Sequence, residues 1–252
     1  MGINYQEKGT GLPILLIHGY CETHEIWGPM VDRFSAAFRV ITIDLPGFGT
    51  SPALEAPHSI DDVATRVLQF LSDFLKTDSC VVLGHSLGGY VALAMIEKRP
   101  ELFRAFGLVH STAFADSDER KAARNKVIEF VKTHGSEPFV RSFIPPLFHN
   151  QSASYVQPVV DLALKTAASS IISYAGAMRD RPDRTHVLRS FSGPVLFQAG
   201  DKDTIIPLAG VQEQVSMTRN ATFSVLQGVA HMGMIERTEE ASSAIEGFLR
   251  SV

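Results

Sequence analysis

Cysteine is scarce in this sequence: only Cys21 and Cys80 occur among 252 residues. A chain of this length can bury a sizeable apolar core without cross-links, and two cysteines do not make a disulfide framework. Hydrophobic residues amount to 45% and charged residues to 20%, which excludes a disordered or fibrous protein. We therefore expect one globular domain, with room for an insertion, in a reducing cytoplasm.

Long apolar runs and clusters of basic residues are missing as well. No stretch approaches the roughly 20 apolar residues of a membrane-spanning helix, and the N-terminus lacks the basic and apolar segments of a secretory signal. The formal net charge is -4, and Lys and Arg form no run. These absences predict a soluble, unprocessed protein that binds neither a membrane nor nucleic acid.

Motifs for a nucleotide or a metal ion are incomplete. Asp44 to Gly47 fits the short Asp-x-x-Gly pattern of nucleotide-binding switches, but the chain has no G-x-x-x-x-G-K-[ST] phosphate loop to accompany it. Cys21 and His24 lie close in sequence without the second pair of ligands that a metal site requires. The sequence therefore predicts no cofactor and no metal, and a small-molecule substrate is the expected partner.

What the chain does contain is an alternation of apolar runs and helical segments. After an expected edge strand near the N-terminus, six runs are expected to be strands: Pro13 to His18, Arg39 to Leu45, Val81 to Leu83, Ala105 to His110, Gly193 to Ala199 and Thr222 to Leu226. Helices are expected over Ile26 to Phe38, after a capping box of Ser59 and Asp62, over Leu87 to Ile96 and over roughly Glu236 to Arg250. This rhythm predicts an α/β fold with a mostly parallel sheet and helices on both faces.

The strand rhythm stops after the run that ends at His110. Asp116 to His134 and Ser152 to Met178 are expected to be helical, and a helical block inserted between strands is typical of a lid. We therefore predict that residues 112–186 form a helical cap on a core made of residues 1–111 and 187–252.

Aromatic side chains make the predicted cap more apolar than a solvated connector needs to be. Phe139, Phe143 and Phe148 are the candidates for contact with a substrate, and some side chains of the segment must pack the cap itself. The charge-rich stretch from Asp116 to Lys132 is interpreted as the solvated face of a helix, which is the usual position of such a run.

The most informative stretch is Gly84-His85-Ser86-Leu87-Gly88, which lies between an expected strand and an expected helix. Such a sharp turn brings backbone segments together, and glycine at positions 84 and 88 relieves the clash. The turn would point the Ser86 hydroxyl outward and place the backbone N–H of Leu87 at the helix N-terminus, where it can stabilise an oxyanion. The stretch matches the G-x-S-x-G nucleophile elbow, whereas five residues alone also fit an ordinary serine N-cap.

A serine hydroxyl is a weak nucleophile and needs a histidine base that a carboxylate orients. Asp201 and Asp203 both follow the expected strand that ends at Ala199, and they compete for the role of the acid. His231 follows the last expected strand, and we identify it as the only histidine downstream of the elbow at a strand exit. Because the carboxyl ends of parallel strands meet at one edge of a sheet, Ser86, one of the aspartates and His231 are expected to come together.

A second loop at the same edge is His18-Gly19-Tyr20, which follows the first apolar run. Glycine allows the backbone to approach another group closely, and ligands of parallel sheets bind at such strand ends. We predict that the backbone N–H of Tyr20 is the second oxyanion donor, paired with that of Leu87. Trp27, a little further on, is expected to be a core aromatic.

These motifs resemble those of the α/β-hydrolase family, and the match runs almost from end to end of the chain. Pro13 to Gly19 is similar to the family's strand before the oxyanion loop, and Asp44 to Ser51 is similar to its D-x-P-G-x-G-x-S loop. The elbow is present at Gly84 to Gly88. The family's acid loop, G-x-x-D-x-x-x-P, fits Gly200, Asp203 and Pro207.

The resemblance implies the α/β-hydrolase fold with an inserted cap and a triad of Ser86, Asp203 and His231, with Asp203 rather than Asp201 as the acid. Serine in the elbow, where some relatives carry aspartate or cysteine, implies acyl transfer. The expected protein is a serine hydrolase, similar to carboxylesterases and lactonases, that cleaves a small ester or lactone through an acyl-enzyme. Hydrolysis of a carbon-carbon bond in a diketone and a weakly catalytic small-molecule receptor stay open as alternatives, and the sequence leaves substrate identity and oligomeric state open.

Overall fold

A computed structural model describes residues 2–74 and 79–252 of the chain. Within these ranges seven strands form one sheet: β1 (Tyr5–Lys8), β2 (Pro13–Ile17), β3 (Arg39–Ile43), β4 (Cys80–His85), β5 (Phe103–Val109), β6 (Val195–Gly200) and β7 (Ala221–Leu226). Their order across the sheet is β1-β3-β2-β4-β5-β6-β7. β1 runs antiparallel to β3, and every other neighbouring pair is parallel. The mostly parallel sheet predicted from the sequence is confirmed.

The helices of the same ranges are α1 (Gly28–Phe34), α2 (Ile60–Phe74), α3 (Leu87–Lys98), α4 (Asp118–His134), α5 (Ser136–Phe143), α6 (Val156–Ala163), α7 (Ala168–Arg179), α8 (Thr185–Ser190), α9 (Leu208–Met217), α10 (Gly233–Glu236) and α11 (Thr238–Arg250). Short 3-10 turns lie at His24–Trp27, Pro100–Leu102 and Pro145–Leu147. None of the helices in the described part of the chain is long and apolar enough to cross a membrane.

The register of the parallel strands brings the functional loops to one edge of the sheet. Ile17 pairs with Gly84, His85 with Val109, and Val109 with Gln198, so β2, β4, β5 and β6 end almost level. The residues of β2, β4 and β6 are buried along their whole length, as expected of strands that are covered on both faces. The loops that follow these strands therefore emerge side by side.

The helices α4 to α8 are inserted between β5 and β6, in the segment that the sequence predicts to be a cap. Helix α7 is fastened to core loops by side chains that donate to backbone oxygens: Tyr174 Oη to Pro46 O at 2.8 Å, Ser170 Oγ to Gly47 O at 2.6 Å and, from the core side, Tyr20 Oη to Ile171 O at 2.7 Å. The predicted boundary between residues 186 and 187 falls inside α8, and the division into core and cap stays a prediction.

Three helices differ from the expectations of the sequence. The helix expected from Ile26 is a 3-10 turn followed by α1, which begins at Gly28 with a proline in its first turn, where proline is tolerated. The stretch 152–178 is not one helix but α6 and α7, separated by residues that include the extended Ala167. The closing helix is divided at Arg237, whose φ of -140° is not helical.

The predicted start of α2 and the predicted burial of Trp27 are confirmed. Ser59 Oγ accepts from the backbone N–H of Asp62 at 3.1 Å, and Asp62 Oδ2 accepts from the backbone N–H of Ser59 at 2.8 Å, which is the reciprocal capping box. Trp27 is completely buried. Both features were readable because they depend on local spacing or on apolarity alone.

Candidate active site

The turn from β4 into α3 holds Ser86 in a backbone conformation that L-residues rarely adopt. Its φ is 49° and its ψ is -113°, and Ser86 N donates to Val109 O at 3.0 Å. A Cβ on Gly84 would lie 2.3 Å from the backbone of Gly88, and a Cβ on Gly88 would lie 2.3 Å from Ile17 O. Only glycine fits at either position, which confirms the predicted close approach of the two backbone segments.

His231 and Asp203 meet at the same edge of the sheet. His231 Nδ1 lies 2.8 Å from Asp203 Oδ2, and both side chains are buried. An ionised carboxylate oxygen can only accept, so Nδ1 carries a proton, and in the neutral tautomer with that proton Nε2 has a free lone pair. Asp203 Oδ1 accepts from the backbone N–H groups of Ile205 at 2.9 Å and Ile206 at 2.8 Å, which fixes the carboxylate.

Asp201, the competing carboxylate, has a different task. Its Oδ1 accepts from the backbone N–H of Gly228 at 2.6 Å and that of Val229 at 3.3 Å, so it ties the loop after β6 to the loop after β7. Of the two aspartates, the described structure pairs Asp203 with His231.

A second histidine, His110, also contacts Asp203 and was missed in the sequence. It directly follows β5, so the prediction that His231 is the only downstream histidine at a strand exit was wrong. His110 Nδ1 lies 3.2 Å from Asp203 Oδ2, and its Nε2 is buried without a partner among the described residues. The sequence predicts a strand from Ala105 through His110, whereas β5 ends at Val109, so His110 lies in the loop that follows the strand.

Protonation separates the roles of these side chains. Burial lowers the pKa of His110 to about 4, against smaller opposing effects of Asp203. Burial alone would raise the pKa of Asp203, but the charge of protonated His231 and the hydrogen bonds from His110 and His231 outweigh it and hold the pKa far below its usual value. At neutral pH the site therefore contains an ionised Asp203 and a neutral His110 that donates to it.

The same three side chains also have the spacing of a metal site. Ligand-type atoms of His110, Asp203 and His231 lie within 4.8 Å of one another. Asp203 Oδ2, however, already accepts a hydrogen bond from each imidazole, so these atoms are engaged with one another. The hydrogen bonds explain the cluster, and the expectation that the protein needs no metal stays a prediction.

A buried ion pair lies under the loop that follows β2. Glu22 Oε2 lies 2.9 Å from His85 Nδ1 and accepts from the backbone N–H of Gly19 at 2.7 Å, while His85 Nε2 lies 3.0 Å from His231 O. Both ring nitrogens of His85 face acceptors, so both carry protons and the ring is positively charged. The pair links the loop of Tyr20 to the loop of His231.

The charges of this pair stabilise each other against burial. Burial alone would lower the pKa of His85, but the charge of Glu22 and their hydrogen bond raise it above its usual value. Burial alone would raise the pKa of Glu22, and the same interactions with His85 lower it. Glu22 was not predicted from the sequence, because a glutamate four residues after His18 carries no local pattern that marks it as buried.

The two residues predicted to supply the oxyanion donors lie close to Ser86: Leu87 follows it in the chain, and Tyr20 lines the same cavity. Leu87 is the first residue of α3, and its N–H belongs to the helix N-terminus. Tyr20 lines the cavity next to Ser86, and its ring packs edge-on against Phe48 and Phe143. A Cβ on Gly19 would lie 2.7 Å from His85 Nδ1, so this glycine gives the loop its close packing. The oxyanion role of both N–H groups stays a prediction.

A cavity of about 330 Å³ lies over Ser86 and His231. Of the three cap aromatics proposed for substrate contact, Phe143 lines it. Phe139 and Phe148 are buried and are not among its lining residues: Phe139 stacks on Phe143 with ring centroids 5.1 Å apart, and Phe148 packs against Tyr155 at 5.5 Å. Contact of these two side chains with substrate stays a prediction, and in this structure they pack the cap.

One face of α4 also lines the cavity. Arg120, Ala123, Arg124 and Val127 recur at the spacing of a single helical face and border the same space as Ser86. The interpretation of this charged segment as only a solvated face was therefore wrong for this stripe. The spacing was visible in the sequence, but nothing in it told which side of the helix would face the core.

Cys21 and His24, the pair considered for a metal or a nucleophile, are engaged elsewhere. Burial, together with the charge of Glu22, raises the pKa of the Cys21 thiol well above its usual value, so the thiol stays protonated. His24 Nδ1 lies 2.8 Å from Asp44 Oδ1, and the Asp44 carboxylate also accepts from Asn4 and the backbone of Thr50. These residues hold the loop after β3.

Sequence comparisons relate the chain to known hydrolases. The model of a family described as the alpha/beta hydrolase family matches residues 14–244. A relative from Mesorhizobium japonicum, 2-(acetamidomethylene)succinate hydrolase, is 24% identical over 255 residues, which cover 98% of this chain and 91% of the relative. Pimeloyl-[acyl-carrier protein] methyl ester esterase from Aeromonas hydrophila is 27% identical over 269 residues, which cover 99% of this chain and 100% of that protein.

Solved structures give the same picture. A thermophilic esterase from Thermogutta terrifontis, with malate bound, has a TM-score of 0.92 and 27% identity, and the match covers 99% of this chain and 93% of the esterase. The enol-lactonase from Burkholderia xenovorans LB400 has a TM-score of 0.88 and 22% identity, covering 98% and 96% of the two chains. The second likeness bears on the fold alone, and both agree with the fold expected from the sequence.

Proposed function

The chain belongs to the alpha/beta hydrolase family, and we propose that it is a serine hydrolase that cleaves a small carboxylic ester or lactone through an acyl-enzyme on Ser86. The observation that carries the proposal is the contact of His231 Nδ1 with Asp203 Oδ2, 2.8 Å long, beside a cavity that Ser86 and His231 line together. Such a pair turns a serine hydroxyl in a strained turn into a usable nucleophile.

In the proposed reaction, His231 Nε2 takes the proton of Ser86 as Oγ attacks the carbonyl carbon of the substrate. Asp203 keeps the Nδ1 proton in place and stabilises the imidazolium that forms. The N–H groups of Tyr20 and Leu87 stabilise the oxyanion of the tetrahedral intermediate. His231 then gives its proton to the leaving alcohol, and a water molecule, activated by the same nitrogen, hydrolyses the acyl-enzyme.

The names of the related proteins and the size of the cavity support this class of reaction. Two relatives with nearly full-length matches are named as a hydrolase and as a methyl ester esterase, and the structural match at 27% identity is named as an esterase. A cavity of about 330 Å³ lies at the small end of ligand pockets, which run from roughly 300 to 1,000 Å³. The proposed substrates are therefore small.

The first test is hydrolysis of p-nitrophenyl esters of increasing acyl length by the wild type and by Ser86→Ala. We expect the wild type to turn over the short esters and Ser86→Ala to lose several orders of magnitude in kcat, because the nucleophile is absent. Ser243→Ala, at an exposed position of α11, is the matched control. Equal inactivity of wild type and Ser86→Ala in folded protein would contradict esterase chemistry.

A matched pair of variants tests which aspartate is the acid. Asp203→Asn should lower kcat by about 10⁴-fold, because an amide no longer holds His231 in the required tautomer. Asp201→Asn should lose far less, since its contacts are to Gly228 and Val229. Equal losses in the two variants would remove the assignment of Asp203.

A further inference from the structure

The cap side of the catalytic cavity carries positive charge. Arg120 and Arg124 are one helical turn apart on the face of α4 that lines the cavity, and Ala123 and Val127 line it from the same face. Arg124 is largely buried, with 18% of its side chain exposed. Placing a guanidinium in such a position costs free energy unless a charge or a ligand balances it.

The partners of Arg124 leave its guanidinium only partly used. Its Nε donates to Asp116 Oδ2 at 3.2 Å, and among the described residues no other hydrogen bond of Arg124 is found. The two terminal nitrogens therefore keep N–H groups for a ligand, and Arg124 lines the cavity. A guanidinium presents a planar fork of N–H donors that matches a carboxylate.

The charges around Arg124 do not cancel. Asp116, whose side chain is completely buried, also pairs with Arg181 Nη1 at 2.8 Å, so two guanidiniums share this carboxylate. Arg120 donates to the backbone oxygen of Ile205, which brings no net charge. Glu22, the carboxylate among the lining residues of the cavity, is paired with His85. The α4 side of the cavity therefore has an excess of positive charge.

We propose that Arg124, with Arg120 beside it, binds a carboxylate of the substrate, so that the preferred esters or lactones carry a free carboxylate group besides the bond that is cleaved. This inference rests on the proposed hydrolase and names its substrate class. In a cavity of about 330 Å³, the group bound at α4 and the carbonyl attacked by Ser86 belong to one short molecule. Half-esters of short dicarboxylic acids have these two features.

The test compares two esters of nearly equal shape, monomethyl succinate and methyl levulinate, in which a neutral acetyl group replaces the carboxylate. We expect the wild type to favour monomethyl succinate in kcat/KM by about 10- to 100-fold, which is the range for hydrogen bonds to charged groups. In Arg124→Gln this preference ratio should fall toward one, and Arg124→Lys should keep part of it. Arg141→Gln, an exposed arginine of α5 paired with Glu137, is the control and should keep the ratio.

The ratio of kcat/KM for the two esters distinguishes a loss of carboxylate binding from structural damage to the site. Loss of the contact between Arg124 and Asp116 alone would lower both reactions together and leave the ratio intact. A wild-type ratio near one, or a ratio that Arg124→Gln does not change, would overturn the inference, while the dependence of methyl levulinate hydrolysis on Ser86 would still test the proposed function. Hydrolysis of methyl levulinate that survives Ser86→Ala would instead contradict the proposed function.

Binding of the carboxylate ester is also measured in variants that cannot turn it over. Monomethyl succinate is titrated calorimetrically into Ser86→Ala and into the double variant Ser86→Ala/Arg124→Gln. Binding by the first protein and its loss in the second support the inference, and absence of binding by the first overturns it. Inorganic phosphate is titrated in parallel; binding of phosphate without binding of monomethyl succinate would also overturn the choice of a carboxylate.

Discussion

Asp203, the proposed acid, accepts more hydrogen bonds than a carboxylate needs to orient one imidazole. Oδ1 takes two backbone N–H groups, and Oδ2 takes both His231 and His110. Because His110 is neutral, it donates a hydrogen bond to the Asp203 carboxylate without adding a positive charge beside it. A positive charge on His231 would therefore be the one that balances the carboxylate. In the proposed mechanism, His110 would act through the position and ionisation of Asp203.

The neutrality of His110 predicts a pH dependence of stability. The folded protein keeps His110 unprotonated down to about pH 4, whereas the unfolded chain protonates it near the ordinary value of 6.5. The unfolded state thus binds more protons in this window, and the free energy of unfolding falls as the pH falls. From about pH 7 to about pH 4.5 the wild type should lose roughly 2 kcal/mol more than His110→Asn.

Urea unfolding at a series of pH values measures this difference. Other buried histidines with a lowered pKa, such as His18, act in both proteins and cancel. His149→Asn, at an exposed histidine, is the matched control and should follow the wild type. Parallel curves for wild type and His110→Asn would mean that His110 does not titrate in this window.

Single site residues are predictable from the sequence when a local motif or a strand end marks their position. Ser86 has glycines around it, Asp203 has Gly200 and Pro207 at fixed distances, and His231 follows a strand. Glu22 has no such neighbours, because its importance comes from His85, 63 residues away in the chain. A buried charged residue such as Glu22 can be predicted from the sequence only when the pairing with its partner can also be predicted.

Among the elements, the turn between β4 and α3 tolerates the least change. A methyl group added at either of its two glycines would meet backbone atoms rather than side chains, so no rotamer change could relieve the overlap. Gly107 differs, because a Cβ there would meet the movable Leu83 side chain at 2.6 Å. The turn is therefore rigid for a reason that lies in the backbone itself.

A pair of glycine substitutions tests this rigidity. Gly84→Ala should lower the free energy of unfolding by about 3 kcal/mol or more, because the methyl group would overlap the start of α3. Gly247→Ala, at an exposed position of α11 with nothing within 4 Å of the new methyl group, should raise it by about 1 kcal/mol. Denaturant unfolding measures both, and a Gly84→Ala protein as stable as the wild type would contradict the geometry.

Element types were easier to predict than their ends. The strands are nearly continuous apolar runs, and period and apolarity identify them. The divisions at Ala167 and Arg237 depend on backbone angles that no residue type at these positions requires, so they could not be read from the sequence. The same is true of α4, whose cavity-facing stripe is set by its packing against α7.

In the whole molecule, the predicted cap and the predicted core are joined by more than chain connectivity. Buried side chains from both segments, including Val140, Ile144 and Leu147 of the cap, belong to one continuous hydrophobic cluster. Buried Arg184 adds ion pairs to Glu97 at 2.9 Å and Asp61 at 2.7 Å. The predicted cap therefore shares its hydrophobic packing with the rest of the described structure.

This continuity predicts a single unfolding transition. Trp27 is the only tryptophan of the chain and is completely buried in the core, so its fluorescence reports the core, whereas far-UV circular dichroism includes the cap helices. The two signals should change at the same urea concentration. Tyr174→Phe, which removes the hydrogen bond to Pro46, should shift both signals together by about 1 kcal/mol. A helical signal that is lost before the fluorescence would show that the cap unfolds separately.

One backbone hydrogen bond links the cap to the proposed base. His231 N donates to Leu147 O at 2.9 Å, and Leu147 ends the Pro145–Leu147 turn of the cap. A movement that opened the cavity by carrying this turn away would break the bond and release the loop of the histidine at the same moment. Entry or departure of ligands by that route and proton transfer to Ser86 would then exclude each other in time.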